Sequence, residues 1–184
     1  MKKSVTINGL KFALLVSSRK IQDAVAVIAK KIDRDFKNQK PLFLAVLNGS
    51  FLFAADLLKK IKIECEISFI KVSSYSGTSS TGKVNTLIGV NENLHKRPVI
   101  ILEDIVDSGN TLEAVISEIK KHNPDSVRVA TLVFKPEAYS KKIKLDYIGI
   151  KVPNKFLVGY GLDYNGLGRN LKDIYALNNN LITQ

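Results

Sequence analysis

From Val99 the chain runs four aliphatic residues, two adjacent acids (Glu103 and Asp104), two more aliphatics, a third acid (Asp107) and then Ser108-Gly109-Asn110-Thr111. The aliphatic run over 99–102 predicts a strand buried on both faces. The Ser-Gly-Asn-Thr stretch then turns the chain into a helix over 111–122, with Leu112, Val115, Ile116 and Ile119 on its inward face. Pro124 stops that helix, and 127–134 reads as the next strand. A buried strand leading into a helix and then a second strand is the repeating unit of a parallel sheet.

The flanking chain repeats the pattern. Ser17 or Ser18 is placed to cap a helix in which Ile21, Ala24, Val25, Ile28 and Ile32 share a face, and Pro41 ends that stretch. Leu42–Leu47 is a buried strand, and Asn48-Gly49-Ser50 turns it into an apolar helix over 51–61. Strands follow over 67–72 and 84–90, separated by a Ser/Thr/Gly-rich loop over 73–82. The C-terminal part mixes short strands with turns such as Asn165-Gly166. The expected fold is therefore α/β, a mainly parallel sheet flanked by helices, in one domain over 1–184. Ligands of such sheets bind at the carboxyl ends of strands, near a topological switch point. The loops after Leu47, Leu102 and Phe134 are the places to look.

Composition narrows the partners. The formal net charge of +11 favours anionic ligands. The lysines are scattered in short groups, with no long basic run of the kind that forms a nucleic-acid arm, so nucleic acid is not the expected partner. Cys65 is the only cysteine, which excludes an intrachain disulfide and a thiolate metal site; a buried structural thiol and a reducing, cytoplasmic setting are expected. The apolar stretch Leu10–Val16 is short and broken by Lys11, so neither a signal peptide nor a membrane span is expected.

The loop after Asp107 has a chemical use. A helix N-terminus offers free N–H groups and partial positive charge; Gly109 admits close backbone approach, and Ser108 and Thr111 add hydroxyls. Together they suit a phosphate monoester. Simple capping by Ser108, Asn110 or Thr111 is the competing explanation. The neighbouring acids favour the cradle. Two adjacent carboxylates at a strand end are costly to desolvate without a cation or a sugar diol, and Asp107 is then free to act as a separate acid/base group.

Glu103-Asp104-Ile-Val-Asp107-Ser-Gly-Asn-Thr111 closely resembles the ribosyl-diphosphate motif of type I phosphoribosyltransferases, most of all the bacterial hypoxanthine phosphoribosyltransferases. The resemblance covers 46–173, with several separated motifs in the same order. It implies that family's fold, with a small base-binding hood beside the parallel sheet. It also implies purine salvage: hypoxanthine, with guanine as a second base, and 5-phospho-α-D-ribosyl 1-diphosphate give the nucleoside monophosphate and diphosphate. By resemblance, Glu103 and Asp104 bind the ribose hydroxyls and help place Mg²⁺, and Asp107 exchanges a proton with N7 of the purine. Loop 107–111 (Asp107, Ser108, Gly109, Asn110, Thr111) holds the 5-phosphate.

Other motifs match in the same way. Leu47-Asn48-Gly49-Ser50 is similar to the diphosphate loop, whose amides contact the leaving group, often across a cis peptide. Many relatives carry Lys or Arg at the position of Asn48, so the backbone role is the part that carries over. Ser74-Tyr75 resembles the start of a flexible lid that closes over the reacting centre. Lys135 matches the lysine that bonds purine O6. Phe156 matches the ring that stacks on the base, and Leu157 the residue whose backbone bonds it. Asp163 matches an acid that orients a second Mg²⁺, and Arg169 an arginine that reaches the diphosphate. The resemblance further implies a homodimer or homotetramer.

Two competing assignments are weaker. Gly77–Lys83 has the G-x-x-x-x-G-K spacing of a nucleotide-binding P-loop, but Val84 stands where a hydroxyl is needed and a strand, not a helix, is expected next. A nucleic-acid-binding regulator on the same fold fits the basic charge, but the matches at Asp107, Lys135 and Arg169 point to catalysis.

Overall fold

The computed structural model describes residues 3–74, 84–89 and 92–178. Its larger sheet has six strands: β3 (Leu42–Leu47), β4 (Glu66–Ser74), β5 (Val84–Ile88), β6 (Pro98–Val106), β7 (Ser126–Phe134) and β8 (Tyr147–Lys151). Their order is β5-β4-β3-β6-β7-β8, parallel except for the antiparallel edge strand β5. The expected α/β fold with a mainly parallel sheet is what forms.

Alternation along the central strands assigns the two faces. Phe43, Ala45, Ile100 and Leu102 pack with α1 (Ser18–Asp35) and α2 (Phe51–Leu58). Leu42, Leu44, Val99 and Ile101 pack instead with Leu112, Val115 and Ile119 of α3 (Asn110–Lys120). Burial on both faces is why these strands read as continuous aliphatic runs. Ser17 caps α1 by accepting from the Lys20 amide, and Ile21, Val25, Ile28, Ala29 and Ile32 are its buried stripe.

Three features depart from the sequence expectation. First, β6 does not stop at Leu102 but continues to Val106, because Ile105 and Val106 resume the strand and pair with Val133 and Phe134 of β7. Both adjacent acids therefore lie within the strand, and the functional loop follows Val106. Second, α2 ends at Leu58 instead of Ile61, dissolving into turns at Lys59 and Lys60. Third, Cys65 precedes β4 and is only partly buried; burial still pushes its thiol up.

A second sheet of four antiparallel strands has the order β1-β2-β10-β9, from β1 (Ser4–Ile7), β2 (Leu10–Val16), β9 (Leu157–Val158) and β10 (Ile174–Leu177). This is the hood. The residues first weighed as a targeting segment are its β2 strand. Among the described residues no helix is long and apolar enough to cross a membrane.

Strand order places the site. The chain leaves β3 toward β4 on one side, and β6 returns on the other, so the carboxyl ends of β3 and β6 flank a switch point.

Candidate active site

At the end of β3 the Leu47–Asn48 peptide is cis, in the loop where the resemblance implied it. Gly49 follows, and a Cβ there would lie 1.7 Å from Asp104 Oδ2, so only glycine lets the backbone meet that carboxylate. Ser50 is fully buried and donates its hydroxyl to Val46 O at 2.7 Å, fixing the turn into α2.

Strand alternation separates the two adjacent acids. Glu103 lines a recess of about 170 Å³ with Ser108, Gly109, Asn110 and Thr111, whereas Asp104 lines the main cleft with Asn48 and Gly49. Burial, and then the neighbouring Asp104 charge, pushes the Glu103 carboxyl well above its ordinary range. Burial likewise raises Asp104 to about 6, although backbone amides and Arg169 oppose the shift. Each acid needs a compensating ligand to ionise cheaply.

Gly109 is the N-cap of α3 with φ 88° and has no side chain to cap the helix. The Ser108 hydroxyl accepts from the Asn110 amide at 3.4 Å, whereas the Asn110 and Thr111 side chains are not spent on capping, which favours the cradle. Lys135, buried after β7, donates from Nζ to Asp107 Oδ2 at 2.6 Å, while its amide bonds Val106 O. This pairing was not foreseen; the two residues stand at the ends of neighbouring strands, a relation invisible until β6 and β7 are paired.

The hood supplies the opposite wall. Phe156 is 48% exposed and sits edge-on to Tyr164 at 5.7 Å, with Phe12 of β2 at 6.4 Å. Leu157 is buried. Arg169 pairs with Asp163 at 2.7 Å and donates to Gly161 O at 2.7 Å, and Asp163 accepts from the Gly166 amide. The main cleft, about 310 Å³, brings together Asn48, Gly49, Asp104, Asp107, Lys135, Phe156, Leu157, Asp163 and Arg169. Ile105 and Leu162 also line it and were missed, since a single aliphatic inside a motif carries no chemical signal. Ser74 ends β4, and Tyr75 and the Gly77–Lys83 stretch lie outside the described residues.

Among the described residues no three His, Cys, Asp or Glu side chains gather into a ready-made metal site. Mg²⁺ does not need one, because it takes one or two carboxylates and fills its shell with phosphate oxygens and water. Asp104 and Asp163, which share the cleft, are hard oxygen donors of that kind.

Residues 15–165 match the family described as the phosphoribosyl transferase domain. The chain is similar to the hypoxanthine phosphoribosyltransferase of Buchnera aphidicola subsp. Schizaphis graminum, 40% identical over 154 residues, covering 82% of this chain and 87% of that protein. It is 38% identical over 172 residues to the hypoxanthine-guanine phosphoribosyltransferase of Mycobacterium bovis, covering 90% and 85% of the two chains. A crystal structure of a hypoxanthine-guanine phosphoribosyltransferase from Bacillus anthracis superposes with a TM-score of 0.85 at 39% identity, covering 90% of this chain and 98% of that one.

Proposed function

This chain belongs to the phosphoribosyltransferase family, and within it to the hypoxanthine phosphoribosyltransferases, and from that premise we propose how its cleft joins N9 of hypoxanthine or guanine to 5-phospho-α-D-ribosyl 1-diphosphate. The products are the purine nucleoside monophosphate and diphosphate, a pentosyl transfer of purine salvage.

The observation that carries the reading is the 2.6 Å pair of Asp107 and Lys135 in the cleft that Phe156 also lines. O6 and N7 are neighbours on one edge of a 6-oxopurine, so an ammonium and a carboxylate in hydrogen-bonding contact can address both. Lys135 donates to O6, and Asp107 exchanges the N7 proton. Adenine would turn an amino group toward the ammonium and leave a buried donor unsatisfied. The half-exposed Phe156 ring offers the base a stacking face.

Around that edge each group has a task. The start of α3 binds the 5-phosphate through the amides and hydroxyls of 107–111. Glu103 and Asp104 accept from the ribose hydroxyls, which compensates their burial. Arg169 and the amides at Asn48 and Gly49 stabilise charge on the departing diphosphate. Mg²⁺, held by Asp104 and Asp163 of the cleft with the substrate's own oxygens, would neutralise that leaving group when bound; Glu103, in the neighbouring recess, would not share that ion directly. Ser74 and Tyr75 begin a lid that excludes water from the cationic ribosyl centre. The same reading makes the whole chain one catalytic domain of a cytoplasmic homodimer or homotetramer.

The test is to incubate the protein with Mg²⁺, phosphoribosyl diphosphate and each of hypoxanthine, guanine, xanthine and adenine, and to measure nucleotide formed. Inosine monophosphate should form rapidly while adenine stays inert. A folded protein that makes no product from any base would overturn the reading in favour of a nucleic-acid-binding regulator.

A further inference from the structure

The hood segment between β9 and β10 holds a buried tyrosine to which the mechanism gives no task. Tyr160 is 5% exposed and has a φ of 49°, a conformation non-glycine residues seldom adopt. Its amide donates to Leu171 O at 2.7 Å, and its phenol donates to Asp56 Oδ2 at 2.7 Å. Asp56 stands on α2 and also accepts from Gln22 Nε2 of α1. Although burial pushes the Asp56 carboxyl up, the bonds from Tyr160, Gln22 and Lys59 hold it below its ordinary range, so it is an ionised acceptor.

Both ends of this tether lead to the diphosphate end of the cleft. On the helix side, α2 begins directly after the Asn48-Gly49-Ser50 loop. On the hood side, the next residue after Tyr160 is Gly161. Gly161 donates to Arg169 O and accepts from Arg169 Nη1. A Cβ on Gly161 would lie 2.0 Å from Gly49 O, so the two backbones are in direct contact. We infer that Tyr160 is a positioning residue which, through Asp56 and Gln22, sets the distance between Arg169 and the amides at Gly49, and with it the affinity for the diphosphate group.

This inference rests on the transferase reading. A local shift of the Tyr160-Gly161 segment against α2 would misalign two groups that must hold one diphosphate, while Phe156 and Leu157, secured through β9 and β10, would keep their place against the base. Tyr160→Phe keeps the ring and deletes only the donor to a charged acceptor. It should raise the KM for phosphoribosyl diphosphate, and its dissociation constant by calorimetry, about tenfold, with the hypoxanthine KM changed less than about twofold. Asp56→Ala should reproduce the effect, and the double variant should be no worse than either single one. Asp56→Asn keeps an acceptor oxygen and should restore most of the affinity. Equal losses in both KM values and in melting temperature would reduce Tyr160 to a structural role and overturn the inference. Unchanged diphosphate affinity in Tyr160→Phe beside an active wild type would overturn it alone. A wild type that neither binds nor converts phosphoribosyl diphosphate would overturn it together with the transferase reading.

Discussion

Asp104 and Asp107 lie three positions apart and face opposite electrostatic demands. Asp107 is matched by Lys135, so its carboxylate is prepared for proton exchange without reorganising its surroundings. Asp107→Asn keeps the shape and removes the base; turnover should fall by about 10²–10⁴-fold, with little change in the dissociation constant for phosphoribosyl diphosphate. Steady-state rates beside calorimetric binding would check this, and normal turnover would remove Asp107 from the chemistry. Asp104 is partly buried, with its pKa raised to about 6. The folded state thus binds its proton more tightly than the unfolded chain, so the unliganded protein loses stability as pH rises from about 4 toward 6, by up to about 3 kcal/mol. Asp104→Asn should therefore raise the melting temperature of the unliganded protein at neutral pH and abolish the further rise that phosphoribosyl diphosphate with Mg²⁺ gives the wild type. A lower melting temperature in that variant would show that ionised Asp104 is not strained in the empty site.

At the scale of elements, the central strands and helices were legible because strands buried on both faces are continuously apolar and helices repeat every 3.6 residues. The hood was not read from the N-terminus, although the signal was present. Asn8-Gly9 joins two β-rich stretches, and both residues adopt positive φ (46° and 76°), as a two-residue hairpin turn needs. The overrun of β6 has a different cause: paired acids look like a strand end, and only the register with β7 shows that Ile105 and Val106 continue the ladder. The edge strand β8 depends on such a polar device. Asp146 precedes it, accepts from the Val129 amide of β7, and pairs with Arg128 and Lys144. Burial raises this carboxyl, but those partners outweigh burial and hold it below its ordinary value. A depressed acid stabilises the fold above its unfolded pKa and ceases to do so as pH falls through the folded value, here below about 4. Asp146→Ala should cost about 1.5–3 kcal/mol at pH 7 by denaturant unfolding, and less in acid. An equal loss at pH 7 and pH 3 would show that packing, not charge, is what Asp146 contributes.

Across the whole molecule the candidate site draws on loops after β3, β6 and β7 and on the hood segment between β9 and β10, which are far apart in sequence. Single motifs were readable for that reason, but their mutual geometry was not: Asp107 meets Lys135 only when β6 pairs with β7, Asp163 meets Arg169 only when the segment between β9 and β10 folds back on itself, and Gly49 meets Gly161 only when the two sheets pack. Net charge acts over the same distances. A net charge of +11 attracts a multiply anionic sugar phosphate and is indifferent to a neutral base. Salt shortens the reach of that field from about 10 Å at 0.1 M to about 3 Å at 1 M. Raising sodium chloride across that range at fixed Mg²⁺ should lower kcat/KM for phosphoribosyl diphosphate at least about tenfold. The value for hypoxanthine, measured at saturating phosphoribosyl diphosphate, serves as the internal control and should change little. Because the attraction acts before contact, the loss should fall on association and leave kcat nearly constant. Parallel losses for both substrates would mean that salt perturbs the folded protein itself, and no loss for either would mean that the positive charge serves something other than substrate capture.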